Sequence, residues 1–83
     1  MKALGVKVLN YISALYQMQA ISAEERNEFA RLIQLAMSNP SLYRAVLVKL
    51  IALDETAVPN TPTAKYIEEC IDLIQSASSQ AVG

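Results

Sequence analysis

Glu68, Glu69 and Asp72 fall within about one helical turn, with Cys70 between them. On a helix, Glu68 and Asp72 share a face at i, i+4, the geometry by which carboxylate bundles hold paired metal ions. Those sites add histidines from Glu-x-x-His motifs, and this chain has no histidine. A solvated helix face accounts for the three acids without a metal. Glu24, Glu25 and Glu28 cluster in the same way, at the start of a segment where the helix dipole favours negative charge. Cys70 is the one thiol in the chain. It could serve as a nucleophile, but it has no imidazole to activate it. It also sits between Ile67, Ile71 and Ile74, so it reads as a small core residue. Acid-base work at neutral pH would fall to carboxylates or lysines with strongly displaced pKa values. No glycine-rich phosphate loop, EF-hand loop or zinc spacing occurs. The expectation is a protein that is not an enzyme and has no catalytic residues, no metal and no cofactor.

Charge and composition narrow the partners. A formal net charge of -1 with no basic stripe disfavours nucleic acid, whose binding rests on neutralising several phosphates. A single cysteine forms no intrachain disulfide, which suits a reducing, cytoplasmic setting. The opening MKALGVKVLNYISALYQMQA has the look of a signal peptide, but Lys7, Asn10, Ser13 and Gln17 interrupt its apolar stretch. It is too broken for an h-region or a membrane span and reads as an ordinary helix. Hydrophobic residues make up 53% of the chain and charged residues 18%, which argues for a folded domain rather than disorder.

The elements that must position these residues are helical throughout. Leu4, Val8, Ile12 and Leu15 repeat at helical spacing, with Val6, Leu9, Tyr16 and Ala20 widening the stripe, and they predict a helix over about 2–19. Ser22-Ala23-Glu24-Glu25 is a capping box opening a second helix, 23–37, with Phe29, Leu32, Ile33 and Ala36 inward. Asn39-Pro40 marks a boundary, and a third helix over 40–54 contains YRAVLVKLIAL, the densest apolar run in the chain. DETAVPNTP, 54–62, reads as a loop. A fourth helix, 63–77, is capped by Thr61 or Thr63, with Ile67, Cys70, Ile71 and Ile74 opposite Lys65, Glu68 and Asp72. The expected architecture is all-α, a compact four-helix domain over residues 1–79 with a frayed tail at 80–83.

KALGVKVL at 2–9 aligns with RAVLVKLI at 44–51, and SAEERNEFARLIQLAMS at 22–38 with TAKYIEECIDLIQSASS at 63–79. The pattern is that of two αα-hairpins related by internal duplication, although two units are fewer than a repeat array requires. Residues 1–21 and 39–53 each carry +2, whereas 22–38 carry -1 and 54–83 carry -4. The odd helices are thus basic and more apolar, and a compact arrangement is expected to place them centrally, with the even pair outside.

The third segment is apolar almost all the way round, the pattern of a helix surrounded on most sides. Three short neighbours leave part of it uncovered, and about 25 cal/mol per Å² of apolar area favours covering the rest with a second polypeptide. The leading expectation is therefore a small protein-binding module, an adaptor, regulator or inhibitor, that also forms a homodimer. Tyr43, Leu47, Val48 and Ile51 on the third helix, with Tyr16 and Val6 on the first, are the candidate contact residues. Four tyrosines against one phenylalanine fit a half-wet interface.

Two alternatives use the same segments. AMSNPS could be the turn of a DNA-binding helix-turn-helix, but the helix behind it offers only Ser41, Tyr43, Arg44 and Lys49 to bases or phosphates. Carrier proteins are also acidic, four-helical and of about this length, with an attachment serine in Asp-Ser-Leu. Here the matching stretch is Pro40-Ser41-Leu42, ahead of a basic helix, so Ser41 is the one modification candidate.

Overall fold

Local capping signals fix the end of α1 and the starts of α2 and α4 in the computed structural model. The structure describes the backbone of residues 2–82 and the side chains of 3–77. Four helices follow in order: α1 (Lys2–Gln17), α2 (Ala23–Ser38), α3 (Tyr43–Thr56) and α4 (Pro62–Val82), with a 3-10 turn, Pro40–Leu42, leading into α3. No strand occurs among the described residues. This is the all-α four-helix domain that the sequence predicts.

Gln19, in the left-handed region at φ 63°, ends α1. Its amide donates to Tyr16 O and the Ala20 amide donates to Leu15 O, the paired bonds of a Schellman cap. The predicted capping box forms at Ser22: its Oγ accepts from the Glu25 amide at 3.1 Å, and Glu25 Oε1 accepts from the Ser22 amide at 2.9 Å. Thr61 caps α4, its Oγ1 accepting from the Ala64 amide at 3.2 Å, and Pro62 takes the first helical position, where its missing N–H costs nothing. Several boundaries differ from the sequence expectation: α1 ends at Gln17 instead of about 19, and residues 40–42 form a 3-10 turn ahead of α3. The loop shrinks to 57–61 because α3 runs on to Thr56. α4 continues to Val82, through the region expected to fray, because SASSQAV contains no glycine or proline to stop it. Gly83 lies outside the described residues.

The helices form a ring in chain order. α1 packs on α2, α2 on α3, α3 on α4, and α4 on α1, while the α1 and α3 backbones lie on one diagonal and those of α2 and α4 on the other. The radius of gyration, 11.9 Å, equals the value of about 12 Å for a compact domain of this length. Antiparallel packing follows from contacts at the two ends. Tyr16 at the end of α1 stacks under Arg26 near the start of α2, 4.4 Å from the guanidinium carbon. At the other end, Gly5 abuts Met37 and Tyr43.

Leu4, Val8, Ile12 and Leu15 fill the core with Phe29, Ile33, Val46, Leu50, Ile67, Cys70 and Ile74. No polar or charged residue is buried among those described. The expectation that the odd helices sit centrally is not met. In a ring every helix has two neighbours and one outward face, so α1 and α3 are as exposed as α2 and α4. The buried positions of the hairpins do correspond at the repeat offset: Leu4 and Val8 match Val46 and Leu50, and Phe29 and Ile33 match Cys70 and Ile74.

Candidate functional site

α1, α2 and α4 carry exposed polar residues along the middle of their outer faces, whereas that of α3 has none exposed between Arg44 and Glu55. The outer face of α4 carries Lys65, Glu68, Glu69, Asp72 and Gln75, and that of α2 carries Glu24, Asn27, Glu28 and Arg31, all exposed. On α1, exposed Val6 stands beside Asn10 and Ser13. α3 buries Tyr43, Val46 and Leu50. The 100° step between residues then sends Val48 and Ile51 outward, 61% and 40% exposed. Ala45 and Ala52 lie exposed along one side of this strip, and Leu47, half-buried, along the other. Arg44 and Glu55, both exposed, close its ends at i-4 from Val48 and i+4 from Ile51. The four residues Arg44, Val48, Ile51 and Glu55 follow one line down the helix, about 16 Å long at 1.5 Å per residue.

The charges at the ends of this strip oppose the α3 dipole. Helix N-termini favour acids and C-termini favour bases, yet the first turn of α3 carries Arg44 with no acid, and the last turn carries Asp54 and Glu55 with no base. Helix stability therefore does not account for their placement. Lys49, on the flank toward α2, pairs with Glu28 at 3.0 Å and lies 5.7 Å from the Phe29 ring centre. Both partners are well exposed, so the pair adds little stability.

Of the six candidate contact residues, the structure brings together Leu47, Val48 and Ile51. Tyr43 is not on the surface: at 2% exposure it is a core residue, because it opens α3 on the same side as Val46 and Leu50 and turns its ring toward Gly5 of α1. Val6 and Tyr16 belong to α1, across the diagonal, and Tyr16 is engaged by Arg26. Arg44 and Glu55 are not among the sequence candidates for this contact; their separation by about three helical turns is the signal that marks them as a pair.

The remaining chemistry-bearing residues do not converge. Cys70 is fully buried, and desolvation pushes its thiol up to about 12. Tyr11 meets Tyr66 edge-on at 5.8 Å, and its hydroxyl is raised, chiefly by burial and then by Glu69, Cys70 and Tyr66. Burial raises Tyr43 likewise. No three His, Cys, Asp or Glu side chains among the described residues form a metal-binding group. Ser41 lies exposed on the 3-10 turn, its hydroxyl donating to Asn39 Oδ1 at 2.8 Å. No described helix is long and apolar enough to cross a membrane. No known protein family, curated protein or solved structure matches this chain, which leaves the outer face of α3 to be read on its physical terms.

Proposed function

We propose that this protein is a small, non-catalytic binding module, an adaptor, regulator or inhibitor, that engages another polypeptide through the outer face of α3. The observation that carries the reading is the pairing of Val48 and Ile51, 61% and 40% exposed, on a helix whose outer face has no exposed polar residue between Arg44 and Glu55. Single exposed apolar residues are ordinary on any surface; an aligned pair flanked by Ala45, Leu47 and Ala52 is a strip, and strips of this kind mark contact surfaces. A buried unreactive thiol and the absence of any disulfide suit work in a reducing compartment such as the cytoplasm.

Val48→Asp tests the reading. The side chain stands in water, so the variant keeps the helical spectrum and melting midpoint of the parent, while the associations the parent makes, read as mass in solution and as partners recovered from the native host, are lost. Val58→Asp, at a loop valine 68% exposed, is the control and retains them. Associations that survive Val48→Asp unchanged would end the reading.

A further inference from the structure

We propose that the occupant of this face is a second copy of the chain, docked with its α3 antiparallel to the first. The proposal rests on the binding role given to the outer face of α3. What it adds is the partner and the register. A two-fold axis running between the two α3 helices, level with the midpoint of residues 49 and 50, sets residue 44 level with 55 of the second copy and residue 48 level with 51. Each Arg44 then meets Glu55 of the partner subunit, and the symmetry repeats the pair at the other end. Val48 and Ile51 lie to either side of the line joining Arg44 and Glu55, so at the crossing they interleave with the same residues of the second copy instead of colliding. Exposed Ala45 and Ala52 leave the backbones free to approach closely.

The charge placement fits this arrangement and no isolated helix. Arg44 opposes the dipole of its own α3, with only bases in the first turn. In an antiparallel pair it lies over the C-terminal end of the facing helix, where a cation is favoured, and Glu55 lies over the facing N-terminus, where an anion is favoured. Two unfavourable local placements become favourable ones across a single interface. A contact of one helical face on a 14-residue helix falls below the roughly 1,200 Å² of standard interfaces and belongs to the weak, transient class. Self-association is therefore expected in the micromolar range or above.

Charge reversal at the two ends tests both partner and register by sedimentation equilibrium. Arg44→Glu alone places like charges at both ends of the pair, as does Glu55→Arg alone. Each is expected to weaken self-association at least about tenfold, with an unchanged helical spectrum because both side chains are exposed. Mixing the two single variants restores both pairs at once, so the mixture forms a heterodimer as tight as the parent dimer and at least about tenfold tighter than either component's self-association. The double variant Arg44→Glu/Glu55→Arg likewise recovers. A parent chain monomeric up to about 1 mM overturns the proposal, as does a dimer indifferent to charge reversal or a mixture no tighter than its components. A photo-crosslinker at position 48 separates this failure from that of the binding face itself. Adducts of two copies support self-docking. Adducts with a different polypeptide on a monomeric chain overturn it and leave the binding face standing, and no adduct at all overturns both.

Discussion

At the scale of single residues, burial controls the reactivity of Cys70 and the packing around Gly5. The buried Cys70 thiol, pushed up to about 12 from an ordinary 9.0, is expected to stay unreactive toward a disulfide reagent at pH 8 and to react fully once urea unfolds the chain. The same displacement sets an alkaline limit on stability. Below pH 9 the thiol is protonated in both states and contributes nothing pH-dependent. Between about 9 and 12 the unfolded chain binds fewer protons than the folded one, so stability falls by about 1.4 kcal/mol per pH unit. Cys70→Ala moves the onset of that fall to around pH 10, where Tyr11 and Tyr43, both raised from 10.0, take over; urea midpoints measured from pH 7 to 11 read it directly. Gly5 is a second fixed point. A Cβ there would overlap the Met37 side chain, with Cγ at 2.7 Å, and press on Tyr43 Oη at 3.0 Å. Gly5→Ala gains about 1 kcal/mol of helix propensity against about 1–3 kcal/mol of overpacking, so net destabilisation is expected. Met37→Ala in the same chain should relieve it, and a positive coupling in a double-mutant cycle is the readout.

At the scale of elements, the ends of the helices carry more information than their middles. The Ser22 capping box satisfies two exposed backbone donors reciprocally, and Ser22→Ala is expected to cost about 1 kcal/mol, measured as a shift in denaturant midpoint at constant slope. The box was legible in Ser22-Ala23-Glu24-Glu25 because both bonds are local. The end of α4 was not, since a helix with no stop signal runs on until something outside its sequence pattern ends it. α3 shows the opposite limit. Its length and type were readable, but an all-round apolar helix has no sharply preferred inner side in one dimension, so of its four contact candidates Val48 and Ile51 turn outward, Leu47 is half-buried and Tyr43 turns into the core.

At the scale of the whole molecule, the ring of four helices fixes how much of each helix is covered. Leu50 is fully enclosed, whereas Val48, two residues away, is 61% exposed. Leu50→Ala is expected to lose about 2–5 kcal/mol, a large fraction of the roughly 4–12 kcal/mol available to a chain of this size. Val48→Asp is expected to change stability by no more than about 0.5 kcal/mol. Thermal unfolding of the two variants side by side makes the comparison, and equal losses would show that the ring does not close as described.

The sequence by itself determined that the chain is helical, that Ser22 opens a helix, that Val8, Ile12, Ile33, Ile67 and Ile74 face inward, and that the third segment carries more apolar surface than a short bundle covers. Each of these follows from periodicity or from bonds spanning a few residues. Only the tertiary structure decided that α1 stands diagonally across from α3, that Tyr43 turns inward against Gly5 and Met37, and that Val48 and Ile51 share an outward strip ending in Arg44 and Glu55. Those outcomes depend on which neighbours occupy two sides of a helix, and helix pairing is a property of the assembled ring that no local pattern encodes.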